Sequence, residues 1–224
     1  MNVSQKKPEV VVFAGPNGSG KSTFTELLKP PMDYINADEI KKNLKCTDLE
    51  AAQLAEKQRE DHVEQMEEFC FETVLSTDRN LKLLERAKEK GYFIRCYYVL
   101  TADPMINVPR VRSRVESGGH DVPEEKIISR YDRALALVRD LVKVCDVCHI
   151  YDNSGNKPFR IFKKRKEEVY RPYICRLNQI HNNVSHTLQR YRHFVLFCKI
   201  SRLAVLSAYR KFSFLPQTSP AIAY

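Results

Sequence analysis

Residues 14–23 read Ala-Gly-Pro-Asn-Gly-Ser-Gly-Lys-Ser-Thr, and three of the chain's seven glycines fall in those ten positions. The apolar run Val10–Phe13 precedes them, and apolar spacing typical of a helix begins at Lys21. Gly15 to Ser22 fits G-x-x-x-x-G-K-[ST] at every fixed position, in the strand-to-helix setting that the motif requires. Such a loop turns backbone N–H groups inward around a phosphate, at a helix N-terminus whose dipole favours negative charge. Gly15, Pro16, Asn17, Gly18, Ser19, Gly20, Lys21, Ser22 and Thr23 are therefore the expected nucleotide-binding residues. Lys21 is placed to reach the β- and γ-phosphates, and the Ser22 hydroxyl to reach Mg²⁺.

The rest of the chain fits the α/β fold that such a loop needs. Strands are expected at Glu9–Ala14, Tyr34–Asn36, Cys70–Leu75, Tyr92–Leu100 and Val147–Tyr151, with a hairpin over Arg160–Tyr170. Between them lie helical patterns at Lys21–Leu28 and Asp78–Lys90, the latter stopped by Gly91. Two more follow, Pro104–Glu116 and a long one after Pro123. Thr47-x-x-Glu50 is a capping box opening another helix, whose apolar stripe is read as Ala52, Ala55, Val63, Met66 and Phe69. Alternating strands and helices imply a parallel sheet of about five strands, covered on both faces, with a helical lid.

Charge divides the chain. Residues 1–170 hold 29 Lys+Arg against 28 Asp+Glu, whereas residues 171–224 hold eight Lys+Arg and no acidic residue. The expected organisation is a kinase-sized domain over 1–170 and a basic, apolar extension over 171–224. Arg192, Lys199, Arg202 and Arg210 would share one helical face of that extension, a pattern suited to an anionic membrane surface or an acidic partner. The near-neutral front, without aromatic–basic interleaving, weighs against nucleic acid as a partner. Seven scattered cysteines read as buried thiols of a reducing compartment. Met1–Glu9 has no signal-peptide character, so the cytoplasm is the expected location.

Ligands of open α/β sheets lie beyond the carboxyl ends of the strands. Asp38 follows the second strand and is placed to orient an acceptor hydroxyl and take its proton, or else to cap the next helix. Glu72 and Thr73 lie in the third strand. A carboxylate inside Phe-Glu-Thr-Val wants a partner, either substrate or a buried structural pair. Arg110 and Arg114, at i and i+4, either neutralise a transferring phosphate from a lid hinged at Gly118-Gly119 or form a solvated basic face.

The chain resembles the zeta-toxin family of phosphate-loop kinases, in its short stand-alone form. The resemblance is carried by the loop itself, Ile-Asn-Ala-Asp38-Glu-Ile, Phe-Glu72-Thr-Val-Leu-Ser, Arg-Val-x-Ser-Arg114-Val-x-x-Gly-Gly-His120-x-Val-Pro, Ser-Arg130-Tyr and Tyr-Asp152-Asn-Ser. It implies a kinase that uses ATP and Mg²⁺, with Asp38 as base and Arg114 acting on the transferred phosphate. Glu72, Thr73, Arg110, His120 and Arg130 would line the substrate side. It further implies a small-molecule hydroxyl acceptor, of the UDP-N-acetylglucosamine type in the best-known members, and an antitoxin partner. Val74 departs from the family's second threonine. A lid arginine of the longer members coincides here with Gly119 or His120, leaving Arg130 or Arg110 in its place. A metabolic or nucleoside kinase shares the same loop, base and lid, and a nucleotide-dependent binding module acting through the basic tail is a further alternative.

Overall fold

The computed structural model describes residues 7–119, 121–165 and 168–170, the last three as backbone. The extension read at 171–224 lies outside these residues, as does His120. The order of elements is β1 (Glu9–Ala14), α1 (Lys21–Leu28), β2 (Asp33–Ile35), α2 (Ala37–Leu44), α3 (Asp48–Gln65), β3 (Phe69–Thr73) and α4 (Arg79–Glu89). Then come β4 (Phe93–Leu100), α5 (Pro104–Glu116), α6 (Glu124–Val144), β5 (Val147–Asp152), β6 (Phe159–Arg165) and β7 (Glu168–Tyr170).

The strands form one sheet in the order β2-β3-β1-β4-β5-β6-β7. The first five run parallel, as expected, and the hairpin read at the end of the domain adds β6 and β7 antiparallel. β1 is central, and its residues Val10–Ala14 are almost wholly buried, as a parallel strand covered on both faces must be. From β1 the chain goes to β2 and β3 on one side and then crosses to β4 on the other. The carboxyl end of β1 is thus the switch point, where such sheets open a crevice.

The helices pack as their apolar spacing directs, with one shift of phase. α4 buries Leu81, Leu83, Leu84 and Ala87, and α6 buries Ile127, Tyr131, Ala134, Val138 and Leu141. Thr47 and Glu50 close the capping box of α3 with both reciprocal hydrogen bonds. That cap sets the helix phase, so Ala51, Ala55 and Val63 point inward while Ala52 is exposed. Arg59, on the same face, lays its guanidinium over the Phe71 ring at 5.2 Å. The expected stripe ran too far, because α3 ends at Gln65, Met66 takes a left-handed cap conformation (φ 59°) and Phe69 begins β3. α5 and α6 share a small cluster of their own, Val108, Val111, Val122 and Ile127.

Cys70, Cys96, Cys145 and Cys148 are buried free thiols, and Cys46 is half-buried. Among the described residues no His, Cys, Asp or Glu cluster has the arrangement of a metal site. No helix among them is long and apolar enough to cross a membrane.

Candidate active site

The loop after β1 is shaped by what presses on it. Gly15, Gly18 and Gly20 all have positive φ, and each is blocked by a different part of the fold. A Cβ on Gly15 would lie 1.9 Å from the Val99 carbonyl of β4, and one on Gly18 2.6 Å from the Asn107 carbonyl of α5. One on Gly20 would lie 2.4 Å from the side-chain amide of Asn153, just past β5. The glycines are required by this close approach as much as by their dihedral angles. Gly15 N–H also donates to Thr73 O at 3.2 Å, and Asn153 Nδ2 donates to Ser19 O at 2.8 Å.

Lys21 opens α1 beneath the loop, its Nζ donating to Pro16 O at 3.0 Å. Burial lowers its pKa to about 8; the Glu72 carboxylate opposes that shift and the Arg114 guanidinium adds to it. An incoming phosphate would favour the ammonium form and oppose that lowering. Beside it, Ser22 Oγ donates to Glu72 Oε2 at 3.2 Å. Glu72 stands opposite Phe13 in the β1–β3 register, so the sheet itself delivers this carboxylate to the loop. Its hydrogen-bond partners are hydroxyls, and its charge also acts on Lys21.

A chain of hydrogen bonds then runs across the mouth of the sheet. Tyr34 OH donates to Glu72 Oε1 at 3.1 Å, and Asn36 Nδ2 donates to Tyr34 OH at 2.8 Å. Asn36 Oδ1 in turn accepts from Asp38 N at 2.9 Å and caps α2. Asn36, not Asp38, is therefore the N-cap, and the exposed Asp38 carboxylate stands in the first turn. Burial and the Glu72 charge push the Tyr34 phenol far up, which keeps it a donor. Neither Tyr34 nor Asn36 is among the site residues expected from the sequence. The signal present was Asn two residues before a carboxylate at a helix start, a capping spacing.

α5 roofs the loop. A cavity of about 350 Å³ is lined by Gly18, Gly20, Lys21, Ser22, Thr23, Arg110, Val111, Arg114 and Asn153. Both expected arginines therefore line this cavity, Arg110 half-buried and Arg114 exposed. Arg110 Nη1 donates to Asn153 O at 2.9 Å. Gly118 (φ 85°) and Gly119 end the helix, their N–H groups donating to Val115 O and Arg114 O at 2.9 Å each. A Cβ on Gly119 would lie 2.6 Å from Arg114 Cγ, so glycine there leaves room for the Arg114 stem.

A second cavity, of about 850 Å³, is lined by Asp38, Lys41, Lys42, Lys45, Cys46, Gly118, Gly119 and Asp121. Lys41 is tied to Asp48 at 2.7 Å, and this pairing raises its pKa. Arg130 lies on α6 and lines neither cavity. Thr73 is buried, its hydroxyl accepting from Leu75 N at 3.0 Å and Asn80 Nδ2 at 2.9 Å, so it shapes the turn after β3. Asp152 is likewise a turn residue, accepting from Ser154 N at 2.8 Å.

The sheet order, the loop at its switch point and the arginine helix above it define a phosphate-loop kinase fold. The chain belongs to the zeta toxin family: the model of that family, described as "Zeta toxin", matches residues 28–166, more than half of the chain. The match begins after the phosphate loop, so the loop motif supports the assignment independently. An uncharacterised protein of Haemophilus influenzae is 29% identical over 129 residues, covering 55% of this chain and 92% of its own. A solved structure from the PezAT chromosomal toxin–antitoxin system of Streptococcus pneumoniae is similar at TM-score 0.52 and 15% identity, over 89% of this chain and 88% of that one. The AvrRxo1-ORF1:ORF2 structure with ATP is similar at TM-score 0.62 and 12% identity, over 80% and 67%.

Proposed function

We propose that this chain transfers the γ-phosphate of ATP to a hydroxyl of a small anionic acceptor, acting as a toxin-type kinase. The observation that carries the reading is the hydrogen-bonded path Ser22–Glu72–Tyr34–Asn36–Asp38. It ties the phosphate loop to the backbone N–H of Asp38, whose carboxylate lines the larger cavity. Asp38 would accept the hydroxyl proton as the new O–P bond forms and the bond to the β-phosphate bridge breaks, releasing ADP. Arg110 and Arg114 would neutralise the charge that spreads over the γ-phosphoryl oxygens.

Ser22 Oγ and the Glu72 carboxylate, 3.2 Å apart, are hard oxygen donors of the kind Mg²⁺ takes together with phosphate oxygens and water. The ion, when bound, would neutralise the β- and γ-phosphates. Lys42 and Lys45 around Asp38 favour an acceptor carrying phosphate, which suits a sugar nucleotide of the UDP-N-acetylglucosamine type. One similar fold comes from a toxin–antitoxin system and another from a two-component complex with ATP. These relations support ATP as donor and a protein antitoxin as partner. The cytoplasm, where ATP and such acceptors are found, is the compartment that fits.

Asp38→Asn tests the reading. Asn36 supplies the cap, so the variant is expected to bind ATP normally and to melt within a few degrees of wild type. Transfer to the acceptor should fall by about 10²–10⁴, because an amide cannot take the proton. Transfer at the wild-type rate would remove Asp38 as base and turn attention to Glu72.

A further inference from the structure

Five side-chain polar atoms among the described residues are buried without a hydrogen-bond partner, and three of them lie in the phosphate loop and on the helix packed against it. Asn17 Oδ1 and Ser19 Oγ belong to the phosphate loop, and Asn107 Nδ2 belongs to the first turns of α5. Native folds leave few such atoms, and each costs free energy comparable to a lost hydrogen bond. The two sides are in contact. Gly18, between Asn17 and Ser19, lies so close to Asn107 that a Cβ on it would fall 2.9 Å from the Asn107 Cβ. Asn107 is fully buried and its Oδ1 is already used, accepting from Thr101 Oγ1 at 2.8 Å. Its unused group is the amide donor, and the loop beside it holds unused acceptors.

Asn107, Arg110 and Arg114 stand at i, i+3 and i+7, on one face of α5. Whatever fixes Asn107 against the loop therefore fixes the height and roll of both arginines above the phosphates. We infer that Asn107 is a positioning residue: when nucleotide fills the loop, its amide donates to the Asn17 side-chain carbonyl, locking α5 over the γ-phosphate. Nucleotide binding would then pair these atoms. Part of the binding free energy of ATP goes into aligning Arg110 and Arg114. This inference rests on the kinase reading above and adds to it a residue that touches neither substrate nor metal.

The test uses the full chain with Asn107→Leu, Asn17→Ala, the double variant, and Lys21→Ala as a reference. Leu has the branching of Asn without its donor, and Thr101 Oγ1 keeps a second acceptor in Asp103 O at 3.4 Å. Without nucleotide, Asn107→Leu should melt no lower than wild type, since it removes an unsatisfied buried group. With ATP and Mg²⁺ its rise in Tm should be smaller than that of wild type, and its kcat about tenfold lower. The double variant should be no worse than either single one, because each loses the same contact. A lower nucleotide-free Tm with kcat intact would make Asn107 merely structural, and multiplicative losses in the double variant would equally overturn the contact. If Asn107→Leu does not fold, Asn107→Ser is judged by the same criteria. Should Lys21→Ala keep its ATP-induced rise in Tm, the nucleotide site itself is wrong. If only the Asn variants behave as wild type, the kinase reading stands and this inference falls.

Discussion

The two cavities flanking Lys21 and Asp38 are built on opposite principles. The smaller cavity is shaped by backbone: three positive-φ glycines wedged against Val99, Asn107 and Asn153, with almost no freedom to change shape. The larger cavity, proposed for the acceptor, is made of side chains, lysines on α2 and its end and a glycine pair at the end of α5, around more than twice the volume. The comparison teaches where each kind of specificity resides. A phosphate chain is common to all nucleoside triphosphates and suits a rigid cradle of N–H groups. An acceptor is particular to one enzyme and is read by replaceable side chains. One rigid element, α5, borders both, with its arginines on the first and its closing glycines on the second.

If α5 serves the transition state rather than either ground state, Arg114→Ala should break the symmetry between the cavities most sharply. The expected result is a kcat lower by on the order of 10³, with ATP affinity changed far less. Arg110→Ala should cost less, as expected for a residue that supports Arg114. Steady-state kinetics on both variants, with ATP binding measured separately, decides it. Wild-type kcat in both would show that the helix roofs the loop without acting on the phosphate.

A smaller effect sharpens the acceptor side. Lys42→Ala and Lys45→Ala together should raise the acceptor KM about tenfold and leave the ATP KM in place, because Lys41 is held by Asp48 and the other two are exposed to the cavity. Added salt should weaken acceptor binding in wild type and do little in the double variant. An ATP KM that rises in parallel would mean that the two cavities are one site.

Legibility in the sequence followed the same division. The loop was readable because its parts are contiguous and the motif encodes a backbone shape. The five parallel strands were readable because each is a short apolar run between turn residues. Arg110 and Arg114 were readable because helical spacing alone puts them on one face. Tyr34 was not, since nothing local says that its hydroxyl reaches a carboxylate on the neighbouring strand. The β2–β3 register, with Ile35 opposite Phe71, brings Tyr34 to Glu72. Asn107 was hidden for the same reason: its importance comes from Gly18, 89 positions earlier. The overrun on α3 came from continuing an apolar period through a helix end, where Met66 turns left-handed.

The least disruptive probe uses protons. Lys21 has its pKa lowered to about 8 chiefly by burial, against an ordinary value of 10.5. Between those two values the unfolded chain holds a proton at this position that the folded chain has released. Stability contributed by this group therefore rises with pH through that window and is lowest below about pH 8, where the charge is buried. Lys21→Met removes the charge and keeps the stem, so without nucleotide it should melt a few degrees above wild type at pH 7. The gap should close as the pH approaches 10. ATP reverses the preference, because phosphate favours the ammonium. Wild-type binding should then take up a proton above pH 8 and weaken as the pH rises, which calorimetry in buffers of different ionisation enthalpy detects. A constant Tm gap between pH 7 and 10, with ATP affinity flat over the same range, would show that Lys21 keeps an ordinary amine in the empty loop. The rigid side of the site would then bind phosphate without any change in charge.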